Sequence, residues 1–221
     1  MRMALVLTGA ILAVAATAIA EPGAKSPGQP TATTPVDSSP WRALFDGRTL
    51  RNWKVTSFGG EGSVKDDKGQ IVLHAGDPLT GITWTGDDLP RIDYELSFEA
   101  MKISGNDFFS ALTFPVGEAP CSLVVGGWGG TVVGLSSLDG LDASDNETSR
   151  NMTFAKNRWY RIAVRVTKAK IEAWIDDALV VDVSTAGRKI SIRPEVEASR
   201  PLGVASFNTK AALRNIRARR L

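Results

Sequence analysis

The strongest constraint on the fold is a strict alternation in the second half of the chain. Tyr160, Ile162, Val164 and Val166 are apolar, and Trp159, Arg161, Ala163, Arg165 and Thr167 fall between and around them. Successive side chains of an extended strand point to opposite faces, so this segment reads as a strand with one face in a core. Ile171, Ala173 and Ile175 repeat the apolar face, Asp176-Asp177 makes a turn, and Leu179, Val181 and Val183 resume it. The pattern predicts a three-strand antiparallel meander. A meander that is apolar on one side needs a cover. No long segment of the chain keeps a helical period, so the cover is a second sheet.

The rest of the chain carries the same punctuation. Asp66-Asp67-Lys68-Gly69 reads as a hairpin turn leading into Gln70 to His74. Tyr94 to Ile103 predicts a long strand, and Phe108 to Phe114 another, stopped by Pro115. Leu123-Val124-Val125 and Thr131-Val132-Val133 flank a glycine-rich centre, and Gly203 to Phe207 and Ala211 to Arg219 supply closing strands. With 221 residues, 43% of them hydrophobic, the chain can fill one sizeable core. The expectation is an all-β, two-sheet antiparallel jelly-roll sandwich over residues 41–221.

The N-terminus predicts export. Met1-Arg2 is a short positive region, Ala4 to Ala16 is apolar, and Ala18-Ile19-Ala20 places small residues where a signal peptidase cuts. Residues 1–20 thus read as a signal peptide and residues 21–40, rich in Pro, Ser and Thr, as a flexible linker. The expected location is periplasmic or extracellular, with membrane contact only through an uncleaved signal segment. Lys plus Arg number 26 against 24 Asp plus Glu, a near-balance that argues against a nucleic-acid partner. The arginines between Arg214 and Arg220 read as one solvated face of the last strand. Cys121, the single cysteine, allows no internal disulfide and reads as a buried, inert thiol.

Polar chemistry concentrates in two stretches. Gly126-Gly127-Trp128-Gly129-Gly130 sets an indole among glycines, where a sugar ring could stack on it. The loop from Asp139 to Arg150 follows, with Asp142, Asp145 and Glu147 as candidate bases and Arg150 as a candidate substrate contact. The same loop has hard oxygen donors for a divalent metal such as calcium, Asn146 among them, although the spacing is not that of an EF-hand. Asn106 and Asp107, in the Ser104-Gly105-Asn106-Asp107 turn, are further candidates for substrate binding. His74, the only histidine, is a candidate for proton transfer at the end of a strand. Glu95 and Glu99, and separately Glu195 and Glu197, are carboxylate pairs, but neither stands in the flanking context of a two-carboxylate glycosidase.

Several segments resemble one family. Leu44-Phe45-Asp46-Gly47-Arg48-Thr49-Leu50-Arg51-Asn52-Trp53 is similar to its opening motif. Gly81-Ile82-Thr83-Trp84 and Asp93-Tyr94-Glu95-Leu96 are similar to its early strands, and Gly105-Asn106 to the start of a turn. Asn157 to Val181 resembles its meander, and Leu213-Arg214-Asn215-Ile216-Arg217 its terminal strand. The family is that of the 3-keto-disaccharide hydrolases, or 3-keto-glucoside lyase/hydratases. The resemblance implies a concanavalin A-like jelly roll and cleavage of glycosides already oxidised at C3. A C3 ketone acidifies the C2 proton, one base removes it, the C1 substituent leaves, and water adds to the enone. The chain departs from the pattern in places: Asp107-Phe108-Phe109 stands where the family has Ser-Gly, and Ser122 to Thr131 replaces an acidic strand. Two functions follow: an exported enzyme cleaving 3-keto-glycosides, or a non-catalytic saccharide-binding or cell-surface module of the same fold. In the first, Asp142, Asp145, Glu147 or His74 is the base, Asn106 or Arg150 stabilises the enolate, and Trp128 stacks on the ring.

Overall fold

The computed structural model describes residues 39–221; the expected signal peptide and nearly all of the expected linker lie outside the described residues. The strands in chain order are β1 (Arg42–Ala43), β2 (Trp53–Val55), β3 (Val64–Asp67), β4 (Gln70–Leu73), β5 (Leu79–Trp84), β6 (Tyr94–Gly105), β7 (Ser110–Val116) and β8 (Ala119–Gly127). They continue with β9 (Val132–Ser136), β10 (Arg150–Asn151), β11 (Trp159–Val166), β12 (Lys170–Ile175), β13 (Ala178–Ser184), β14 (Gly203–Phe207) and β15 (Thr209–Arg220). A short 3-10 helix, Pro194–Ser199, precedes β14.

These strands form two antiparallel sheets. One runs β13-β12-β11-β6-β15-β4-β3, with β1 added on β15; the other runs β10-β9-β8-β7-β14-β5-β2. The fold is the all-β two-sheet sandwich that the alternation demands. Phe98, Ile162, Val164, Ile171 and Leu213 from one sheet meet Leu112, Phe114, Leu123, Leu135 and Val204 from the other in a single core. Full burial of side chains this large contributes about 1.5–3 kcal/mol each relative to exposure. Cys121 is buried in that core, and burial pushes its thiol up to about 12, so it is unreactive at neutral pH.

The meander is β11-β12-β13 in the expected antiparallel register. One residue departs from it. A register shift between Ala173 and Trp174 turns Leu179 outward, 51% exposed, and puts Val180 into the core instead. Lys68 and Gly69, both at positive φ, make the β3–β4 turn. The expected stop at Pro115 does not occur. Pro115 pairs with Pro120 inside the β7–β8 hairpin, while β14 reaches β7 only to Thr113 and β9 reaches β8 only to Ser122. Neither proline is asked for the N–H it lacks.

The two outer faces differ. On the eight-stranded sheet, Glu95 is nearly buried between Arg165, at 2.9 Å, and Arg219. Arg214 binds Glu99 and stacks on Trp159, and Arg217 and Arg219 stack on Trp41. The C-terminal arginines are thus a packed ladder rather than merely solvated charge. Glu95 and Glu99 are its ion-pair partners.

Candidate functional site

On the seven-stranded sheet, alternation sends Leu112, Leu123, Val133, Leu135 and Val204 into the core. It leaves Ala111, Thr113, Ser122, Val124, Gly134, Ser136 and Ala205 on the outer face. These side chains are small, so other segments can sit on them. The 3-10 helix lays Val196 on Leu79 and Ala205. The loop after β9 lays Ala143 on Ala111 and Val124. It comes so close to the sheet that a Cβ on Gly134 would stand 3.0 Å from the Ala143 carbonyl oxygen. Phe108 packs against both covers. Between them remains a cleft of about 190 Å³ with mostly apolar walls. Asp107, Arg193 and Glu195 supply its charged groups, Trp128, Phe108 and Phe207 its aromatic ones, and Ser122 and Ser136 line it from the sheet.

Two tight turns bring Trp128 and Asp107 together. The β8–β9 connection holds Trp128 at φ 48, a backbone region that bulky residues rarely adopt, and the indole remains 42% exposed. The Asp107 carboxylate accepts N–H bonds from Phe108, at 2.7 Å, and from Gly129, at 3.2 Å, the second tying the two turns. Thr209 Oγ1 accepts the Asp107 N–H and donates to the Asp107 carbonyl. Gly130 is required where it stands: its φ is +106, and a Cβ there would lie 2.8 Å from the Asn106 carbonyl oxygen.

Arg193 connects the cleft to the acidic loop. Its Nε and Nη2 grip Glu195, at 3.3 and 2.8 Å, and its Nη1 donates to Asp142. The hydrogen bond to Glu195 raises the guanidinium's pKa against the opposing effect of burial, and the Asp142 charge adds to the rise. The same bond from Arg193 holds the Glu195 carboxyl below its ordinary value. Asp142 is fixed from behind by the hydroxyls of Ser136 and Ser137, at 3.1 and 3.0 Å.

Comparison with known proteins bears on what such a cleft belongs to. The sequence profile of the 3-keto-alpha-glucoside-1,2-lyase-like domain matches residues 40–219. The chain belongs to that family. Membership makes it a carbohydrate-related domain, as the sequence resemblance implied. No curated protein matches it significantly in sequence. Among solved structures it is similar to the carbohydrate-binding module CBM66 from Bacillus subtilis, with TM-score 0.52 and 14% identity over 76% of this chain and 95% of that one. A glycosyl hydrolase described as putative, from Parabacteroides distasonis, aligns with TM-score 0.52 and 11% identity over 82% and 94%. The Crh5 transglycosylase in complex with NAG gives 0.53 and 11% over 83% of each chain. At these identities the likeness establishes the jelly-roll fold of this 3-keto-glucoside lyase-like domain.

The residues singled out in the sequence divide. Trp128 and Asp107 line the cleft, and Asp142 touches it through Arg193. Asn106 is exposed on the adjoining turn and does not line it. Asp145 accepts from Ser144 at 2.7 Å, Glu147 pairs with Arg188, and Arg150 donates to the carbonyls of Glu147 and Ser149. All three sit outside the cleft lining. His74 follows the core residue Leu73 on β4, so it leaves toward the outer face of the other sheet. There burial, then Lys210 and Lys65, lower its pKa.

Asn146 explains why the loop is so polar. Its amide donates to the carbonyls of Leu135, Leu141 and Asp142, and its oxygen accepts from the N–H and hydroxyl of Thr148. The loop's oxygens are thus engaged within the protein. Asp142 and Glu147 are held by different arginines, the Asn146 oxygen is in use, and among the described residues no three such side chains converge. Sequence reading missed Arg193 and Glu195 as cleft residues. Their spacing across Pro194 was the one local signal; nothing local ties Arg193 to Asp142, fifty-one positions away.

Proposed function

We propose that the cleft holds one ring of a 3-keto-glycoside and cleaves its bond at C1. One observation carries this reading: an exposed indole, a carboxylate and a guanidinium, from Trp128, Asp107 and Arg193, converge on one small apolar cleft. Clefts for drug-sized ligands run roughly 300–1,000 Å³, so this smaller one suits a single ring. The apolar C–H face of a sugar matches the Trp128 indole. Asp107 accepts one N–H on each oxygen and keeps lone pairs for a proton. Arg193 has N–H groups beyond those used on Glu195 and Asp142.

In this reading Asp107 takes the C2 proton, and the C2–H electron pair makes the C3 ketone an enolate held by Arg193. The enolate collapses, C1=C2 forms, and the C1 substituent leaves and takes up a proton. Water then adds across C1=C2, so the net change is hydrolysis. Negative charge passes from Asp107 to the substrate oxygen within one cleft, so the site's net charge does not change. The signal-like character of the Met1–Ala20 segment supports a periplasmic or extracellular location for this activity.

Purified protein should release the aglycone of a chromogenic 3-keto-glucoside, and Asp107→Asn should lower that release by about 100-fold or more while ring binding stays. No release, with or without added calcium, overturns the enzyme reading. The alternative, a non-catalytic saccharide-binding module, is favoured by one feature: Asp107 already ties two turns, and Glu195 and Asp142 are already gripped by Arg193. Binding of the glycoside without release would select it.

A further inference from the structure

We infer that the cleft is selective by charge, admitting neutral and amino sugars and rejecting uronates; this rests on the reading that it binds a sugar ring. The charges on its wall are two carboxylates, Asp107 and Glu195, and one guanidinium, Arg193. Asp142 adds a third carboxylate directly behind that guanidinium. Among the described residues no other cationic side chain lines the cleft.

Arg193 is the group on that wall that could receive a sugar carboxylate, and its geometry stands against that. Arginine grips a carboxylate best through two parallel N–H bonds. The Nε–Nη2 edge of Arg193 already makes that grip on Glu195, and Nη1 is drawn to Asp142. The Glu195 carboxyl is stabilised in its charged form by the same contact. An incoming uronate would therefore meet two fixed carboxylates beside this cation, and a third at Asp107. A protonated amine on the ring would meet the opposite field. Repulsion of the wrong ligand separates two sugars as surely as attraction of the right one. The remaining N–H groups of Arg193 can each donate singly to an uncharged carbonyl or hydroxyl, which a neutral ring provides.

The test is calorimetric binding of methyl glucoside, methyl glucosaminide and methyl glucuronide to the full-length protein, with Trp128→Ala as the control for the cleft. The expected order is glucosaminide, then glucoside, then glucuronide, with about a tenfold span at low salt. That span should shrink on going from roughly 0.02 M to 0.5 M salt. Glu195→Gln should narrow it several-fold and improve glucuronide binding. Equal affinities, or tighter binding of the glucuronide that Trp128→Ala weakens, would overturn the charge inference and leave the sugar-binding reading standing. Absence of binding by all three would remove the sugar-binding reading itself.

Discussion

The two outer faces of the sandwich are built from opposite residue types. The eight-stranded sheet covers its face with large side chains that satisfy one another: Glu95 between Arg165 and Arg219, Arg214 over Trp159, Arg217 and Arg219 over Trp41. The seven-stranded sheet puts Ala111, Ser122, Gly134, Ser136 and Ala205 on its face and lets a 3-10 helix and a loop supply the bulk. The first arrangement leaves its polar groups paired with their own neighbours. The second leaves a cleft with an exposed indole. Small residues on the outer face of the seven-stranded sheet are what leave room for its covers and for the cleft.

The comparison can be broken by substitution, and the largest effect belongs to the ladder. Glu95→Gln leaves two arginines facing a neutral group in a nearly buried position. It should cost about 3 kcal/mol and lower the thermal midpoint by roughly 6–12 °C, without changing ligand affinity. A loss of sugar binding in this variant would mean that the two faces are not independent. Next is Asn146→Ala, which removes the amide that holds the acidic loop on the seven-stranded face. About 2 kcal/mol of stability should go, and binding should weaken as Asp142 loses its fixed position behind Arg193. Differential scanning calorimetry and titration on the same sample check both readouts.

Trp128→Ala should do the reverse of Glu95→Gln: affinity for the ring falls about tenfold, worth about 1.4 kcal/mol, while the thermal midpoint hardly moves. The smallest effect comes from acid. Because the Arg193 hydrogen bond holds the Glu195 carboxyl below its ordinary value of 4.5, its stabilising contribution is complete above that value and fades as pH falls through the lowered one. Urea midpoints measured at about pH 6 and about pH 3.5 should fall less steeply in Glu195→Gln than in the parent protein. An unchanged slope would show that the pair contributes nothing across this range.

How much is legible without the tertiary structure differs by region. The β11–β13 meander, the Lys68-Gly69 turn and the closing strands can be read because each is set by local periodicity or by turn residues. Leu179 breaks the pattern because the local shift beside it puts the extra residue, Val180, into the core, while Val181 and Val183 keep the expected face. Trp128 and Asp107 stand out because exposed aromatics and acids among glycines are visible in any loop. Glu147 and Asp145 draw attention for the same reason; the structure pairs Glu147 with Arg188 and Asp145 with Ser144, outside the cleft lining.

The sequence by itself determined the alternation, and with it the two sheets, the single core and the inward or outward sense of most strand residues. Those are properties of neighbours along the chain. Only the tertiary structure decided that Arg193 leaves a 3-10 turn to join Asp142, that Asp107 meets Gly129, and that His74 stands on the other sheet. These are meetings across the seven-stranded sheet and its covers, or separations between sheets. No local pattern encodes them, because the partners come together only after both layers have packed.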